Sequence, residues 1–238
     1  MYLLFENFRK YLKEDISESQ GWCLQIRAKG DGKYVYFLLY DGKMLVDSID
    51  EYITKSVQNT VYHFVNEGIA IGMIKSEPIF SDKGNCYGAK EIGLSAVNKM
   101  YRNKGYGTLL YKMIMAYSAP QPTTGDRGGT SKLAQKVYDR LPATSKDFDD
   151  IGSPKTPPEE DDCYVSKNTI NKAYYLNPDE ISKMKSLMEK LTKNHKDLSA
   201  AIEDKTLQAG FDGRADFEQF LTKVSGHLFD QMHNAEFV

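Results

Sequence analysis

With 238 residues, 41% of them hydrophobic and 27% charged, the chain has the make-up of a globular protein built as one large domain, or as a core domain with an appendage. A formal net charge of −2 leaves no electrostatic footprint for nucleic acid or an anionic membrane; no apolar run is long enough to span a bilayer, and the N-terminus lacks a signal-peptide pattern. Cys23, Cys86 and Cys163 form no Cys-x-x-Cys pair, and His63, His195, His227 and His233 show no ligand spacing, so the expectation is a cytoplasmic chain without a disulfide framework or a metal.

In chain order, residues 1–15 read as a short amphipathic helix with Leu4, Phe5, Phe8 and Leu12 on one side. Trp22–Ala28, Tyr34–Tyr40, Val61–Val65 and Ile69–Lys75 are rich in aromatic and β-branched residues. Asp31-Gly32, Asp41-Gly42 and Glu67-Gly68 lie between them as turns, which together predict an antiparallel meander. Ser81–Asn85 turns into a further strand, Glu91–Val97. After a glycine loop, Leu109, Leu110, Met113, Ile114 and Tyr117 recur at helical spacing until Ala119-Pro120. Gln121–Gly129 is a connector with room for one very short strand, and a second helix covers Ser131–Leu141 with Ser131 or Thr130 as its cap. Residues 143–163 carry Pro154, Pro157, Pro158 and a run of acids, which predicts a linker or long loop. Cys163–Val165 reads as a returning strand. The remainder, 164–238, is expected to be mainly helical: Asn177-Pro178-Asp179-Glu180 opens one helix, Gly210–Gly213 breaks the pattern, and Phe217 to Leu228 mark another. The default for these two helices is docking on the chain's own core; the alternative is a protein partner.

The segment Glu91–Val97 followed by Arg102-Asn103-Lys104-Gly105-Tyr106-Gly107-Thr108 carries the most chemistry. A strand, a glycine turn and a helix start make a phosphate cradle, because glycines let the backbone approach an anion and the first helical turn presents unpaired N–H groups. A Walker loop requires Gly-Lys-Ser/Thr, which is absent. A dinucleotide fingerprint requires a third glycine where Leu110 stands, and no βαβ unit surrounds it.

The pattern Arg102-x-x-Gly105-x-Gly107, after a strand ending Ala96-Val97 and opening a helix at Thr108, resembles motif A of the GNAT superfamily of N-acetyltransferases. Downstream, Ser131, Ala134 and Tyr138 match the family's second cofactor helix, with Ser131 in place of the usual Asn. The match covers about Val61 to Leu141. Asp126–Ser131 is similar to a pattern of GNAT-like proteins encoded by tailed bacteriophages. The resemblance implies an α/β (α+β) fold: a mixed, mostly antiparallel sheet flanked by helices over 16–142, with a C-terminal helical extension. It also implies acetyl-CoA as acyl donor and an amine, small molecule or protein, as acceptor. Ser95, Ala96 and Val97 would pair with the pantetheine arm. Arg102, Asn103, Lys104, Gly105, Tyr106, Gly107 and Thr108 would hold the pyrophosphate, with Ser131 nearby. Glu91 would be the general base, with Glu77 a second candidate, and Tyr138 the general acid.

Three departures bear on the acceptor side. The meander lacks the usual pair of covering helices between its first two strands, the strand in Gln121–Gly125 is minimal, and Arg140-Leu141-Pro142 replaces the usual Gly-Phe, so the last strands are rebuilt or lost. The rival reading is a non-catalytic phage protein, structural or host-interacting, that keeps the fold with or without CoA binding. A nucleobase-modifying relative, or a toxin-like enzyme acting on charged tRNA, would call for a basic groove the sequence does not display. If the chain is phage-encoded, its expected compartment is the host cytoplasm.

Overall fold

Trp22–Lys29 (β1) and Tyr34–Asp41 (β2) form a hairpin in which Trp22 pairs with Asp41 and Lys29 with Tyr34. The turn at Asp31-Gly32 closes it, with Lys33 N–H donating to Gly30 O at 3.0 Å. The computed structural model describes residues 21–53, 56–79, 89–125, 131–147, 172–204 and 214–235. The expected helix at 1–15, the turn at Ser81–Asn85, the pattern Asp126–Thr130, the strand Cys163–Val165, the break Gly210–Gly213 and the greater part of the acidic linker lie outside the described residues.

The meander is interrupted between its second and third strands by helices where the sequence predicts a turn and a strand. Asp41-Gly42 is a helix start, not a hairpin turn: the Asp41 carboxylate accepts from Met44 N–H at 2.9 Å, as an N-cap does, and Gly42–Ile53 follows as α1. Val61–Val65, expected as a strand, lies inside a second helix, α2, Val57–Asn66. Ser56 caps it by accepting from Asn59 N–H. Val57, Val61, Phe64 and Val65 fall on one side at spacings of three and four. That amphipathic stripe overrides the β preference of their branched side chains. A pair of helices is therefore present, between the second and third strands.

Ala70–Pro78 (β3) and Lys90–Val97 (β4) then extend the sheet antiparallel. Tyr106–Ser118 forms α3, and Thr123–Gly125 forms β5, the very short strand expected in the connector, parallel to β4. Lys132–Tyr138 is α4. Two more strands extend the sheet. Ala143–Asp147 (β6), at the start of the segment read as linker, pairs with Lys172–Leu176 (β7), within the part read as helical. The order is β1-β2-β3-β4-β5-β7-β6. This is the expected fold class: a mixed, mostly antiparallel sheet flanked by helices, with helices at the C-terminal end, Pro178–Asp204 (α5) and Arg214–Ala235 (α6).

Both faces of the central strands are covered, which is why β2 reads Val-Tyr-Phe-Leu-Leu-Tyr with little polar alternation. On one face α2 and α6 pack over Cys23, Leu38, Tyr40, Met73 and Ala96, with Phe217, Phe220, Leu221 and Val224 of α6 inserted. On the other, α3 and α5 pack over Leu24, Phe37, Leu39, Ile71 and Ile74, with Met184, Met188 and Leu191 of α5. Each Leu, Ile, Val, Phe or Met among them contributes about 1.5–3 kcal/mol by leaving water. The C-terminal helices thus spend their apolar stripes on the chain's own core. Lys112 Nζ also meets Glu180 Oε2 at 3.0 Å, joining α3 to α5.

A buried polar chain ties these helices to the sheet. Tyr40 OH lies 2.8 Å from His195 Nδ1, and His195 Nε2 lies 2.9 Å from Glu218 Oε1. A carboxylate can only accept, so Nε2 donates to Glu218. Burial pushes the Tyr40 hydroxyl well above its ordinary value and keeps its proton in place. Gln25 Nε2 donates to the other oxygen of Glu218. Among the described residues, no helix is long and apolar enough to cross a membrane.

Candidate functional site

Strand β4 is the axis of the site. On one side it pairs with β3 along its length; on the other it pairs with β5 only through Lys90, Glu91 and Ile92. Among the described residues, no strand pairs with Gly93–Val97 on that side. The two parallel strands stay together for three residues, and β4 then runs on toward the glycine loop.

Two features shape β4. Its register against β3 shifts between Lys75 and Glu77, so that the step from Glu91 to Leu94 spans two residues of its partner. This is a β-bulge, which bends a strand and re-aims its side chains. At the far end Asn98 stops the strand: its Nδ2 donates to Val65 O (2.6 Å) and Ala70 O (2.9 Å), and its Oδ1 accepts from Met100 N–H. The chain turns there through a short 3-10 segment, Lys99–Tyr101.

The glycine loop then delivers α3. Gly105 is its N-cap with φ +88°, a left-handed conformation that costs a residue with a Cβ. Among the described residues no side chain caps this helix, and the first intrahelical bond is Leu109 N–H to Gly105 O at 3.0 Å. The amides of Gly107 and Thr108 precede that bond and point out of the helix end, where the helix dipole favours an anion. Among the described residues, a Cβ at Gly107 would meet only Val97 Cγ2, at an ordinary 3.7 Å. Packing among the described residues therefore does not demand a glycine at 107; room for something above it would.

Around this terminus Arg102, Asn103 and Lys104 are exposed, with Arg102 Nε donating to Val97 O at 3.4 Å and Lys104 Nζ 5.7 Å from the Tyr101 ring centre. The Tyr106 side chain turns inward between Trp22 and Tyr101 (ring centres 5.3 and 5.2 Å), so it can offer only its backbone to a ligand. Ala96 likewise points into the α2–α6 core. Val97 is half-buried against the α3 core, and Thr108 is half-buried in the first turn.

Ser95 faces α3, its Oγ 3.2 Å from Tyr111 OH. The Tyr111 ring meets Tyr138 edge-on at 5.3 Å, and Tyr138 stacks on Tyr174 of β7 at 4.5 Å. Two helices and a strand thus bring three tyrosines into a row that runs from Ser95 of β4 to Tyr174, the residue that pairs with Thr123 of β5. Tyr138 is 3% exposed within it. Ser131, at the other end of α4, accepts from Ala134 N–H at 3.2 Å and is the helix cap.

The carboxylates lie on the opposite face. Glu91 stands directly across from Glu77 in the β3–β4 ladder, and Glu77 shares the sheet face of Met73 and Lys75. Tyr138 and this acidic pair therefore reach β4 from opposite sides. Lys75 Nζ binds Glu77 Oε2 at 2.6 Å. No three His, Cys, Asp or Glu side chains converge among the described residues. The residues missed from sequence are Asn98, Gly93, Tyr111 and Tyr174. Asn98 had a readable signal, an Asn closing a strand before a turn; the other three take their meaning from cross-strand neighbours.

No family model matches the chain, and no curated protein sequence matches it.

Proposed function

We propose that the chain binds acetyl-CoA with its pyrophosphate at the N-terminus of α3 and transfers the acetyl group to an amine. The observation that carries this reading is a coincidence of two geometries. The strand whose pairing to β5 stops at Ile92 leads directly into a helix start built of glycines and left without a side-chain cap. An amide-rich arm laid along Ser95–Val97 would find peptide groups to pair with, and the diphosphate at its end would meet the amides of Gly107 and Thr108, beside Arg102 and Lys104.

Chemically, the amine loses a proton to a carboxylate, Glu91 or Glu77, and its nitrogen attacks the thioester carbon. The C–N bond forms, the C–S bond breaks, and the departing thiolate takes a proton from the Tyr138 hydroxyl. A backbone N–H of the β4 segment would polarise the carbonyl. The opposed placement of acids and tyrosines suits a direct transfer, with the acceptor on one face and the leaving sulfur toward the other. The acceptor stays defined only as an amine, and a reaction consuming acetyl-CoA fits the cytoplasm, that of the host if the chain comes from a phage.

Release of free thiol from acetyl-CoA, followed across a panel of small amines and lysine peptides, tests this. The expected result is amine-dependent release that falls about 100-fold in Tyr138→Phe, which deletes one hydroxyl from a stacked ring. Release equal in the variant and the parent would remove Tyr138 from the mechanism. A chain that binds acetyl-CoA yet releases no thiol with any amine would favour the non-catalytic reading.

A further inference from the structure

Gly93 lies inside the β-bulge of β4, next to the segment Leu94–Val97 that leads into the glycine loop. A Cβ built on Gly93 would collide with the carboxylate of Glu77, whose Oε1 occupies that space. Glu77 belongs to β3, so its side chain reaches across the ladder and lies over the neighbouring strand. Its position is set from behind. Lys75 Nζ holds Oε2 at 2.6 Å, and the same ammonium sits 5.7 Å from the Tyr34 ring centre and 5.8 Å from that of Tyr36. The rings, the lysine, the carboxylate and the missing side chain form one continuous arrangement, and cation–π contacts of this kind fix an ammonium. Such a chain of supports is more than a solvated strand acid requires.

We infer that Glu77, seated over Gly93, is the carboxylate that takes the proton from the attacking amine. This rests on the acetyl-transfer reading and deepens it by choosing between the two opposed acids. The amine enters as an ammonium on the face of β3 and β4 that carries Lys75 and Glu77, gives one proton to Glu77, and attacks the thioester carbon as the free base. The proton on Glu77 passes to solvent, the nitrogen loses its second proton to the emptied carboxylate as the C–S bond breaks, and the thiolate is protonated by Tyr138 from the other face, Tyr138 recovering its proton from solvent.

The test uses the full chain with acetyl-CoA, butylamine as a nucleophile that must be deprotonated, and hydroxylamine as one already neutral at working pH. Calorimetric binding of acetyl-CoA is measured alongside for each variant. Glu77→Gln is expected to lose about 100-fold in turnover with butylamine, to recover with hydroxylamine, and to bind acetyl-CoA as the parent does. Gly93→Ala keeps the acid but unseats it, and is expected to show the same selective loss; Glu91→Gln is expected to lose less than Glu77→Gln. Equal losses with both nucleophiles would mean a structural role and overturn the inference. So would a Glu77→Gln chain as active as the parent, or a parent that binds acetyl-CoA but acetylates neither nucleophile. Absence of acetyl-CoA binding in the parent would instead bring down the acetyl-CoA reading itself, and this inference with it.

Discussion

Cys23 shows how much one side chain can report. It sits on β1 with its sulfur against Gly42, where a Cβ would stand 2.6 Å away, and burial pushes its thiol up from 9.0 to about 12. The native thiol therefore keeps its proton over a range in which the unfolded thiol ionises. Unfolding releases that proton, so this contribution to stability is complete below pH 9.0 and is lost as pH rises toward about 12. Urea unfolding between pH 8 and 11 is expected to show stability falling across that window, with a shallower fall in Cys23→Ala. Tyr40, raised in the same direction, accounts for part of what remains. An identical slope in the variant would contradict this. At the same scale, the loop Arg102–Gly107 was legible in the sequence because its chemistry is local: a left-handed glycine and an uncapped first turn are fixed by neighbours in the chain. Gly93 was not legible, since its reason is a carboxylate from another strand.

Among the elements, α5 and α6 show the same contrast. Their spacing of apolar residues was readable, and so was the Asn177-Pro178 opening, because a helix stripe is a property of one segment. The chain from Tyr40 through His195 to Glu218 was not readable, because it joins β2, α5 and α6 across more than 150 residues. His195→Ala would leave the Tyr40 hydroxyl and the Glu218 carboxylate without their central partner. A loss of about 1–3 kcal/mol in chemical denaturation is expected, with acetyl-CoA affinity unchanged, since the network lies on the α2–α6 face. A loss below about 0.5 kcal/mol would mean that water replaces the imidazole without penalty. The pair α1 and α2 was misread for a related reason. Asp41-Gly42 suits a hairpin turn as well as a helix cap, and Val61–Val65 has strand composition; only the longer stripe from Val57 to Val65 separates the two. Strands β6 and β7 were obscured by the acidic segment between them, whose composition dominates that stretch.

For the molecule as a whole, the sheet, with seven strands among the described residues, positions one end of β4, and everything proposed for function gathers there. The α3 face supplies the helix terminus and the tyrosine row; the other face supplies Glu77 and Glu91. Neither set would meet without a strand that leaves β5 after Ile92 and ends at Asn98. The fold class was legible because the strands and helices on either side of the glycine loop keep their own periodicities. The proposed acceptor was not, because on this reading it depends on how the sheet face around Glu77 is used, and no motif encodes that. Isothermal titration of the intact chain with acetyl-CoA, beside Gly107→Glu, tests the central claim most directly. Gly107 has room for a side chain, so the variant is expected to fold and melt as the parent does, with its new carboxylate at the helix terminus. Saturable binding to the parent that disappears in the folded variant is the expected result. Equal binding by both, or none by the parent, would contradict a pyrophosphate site at the start of α3.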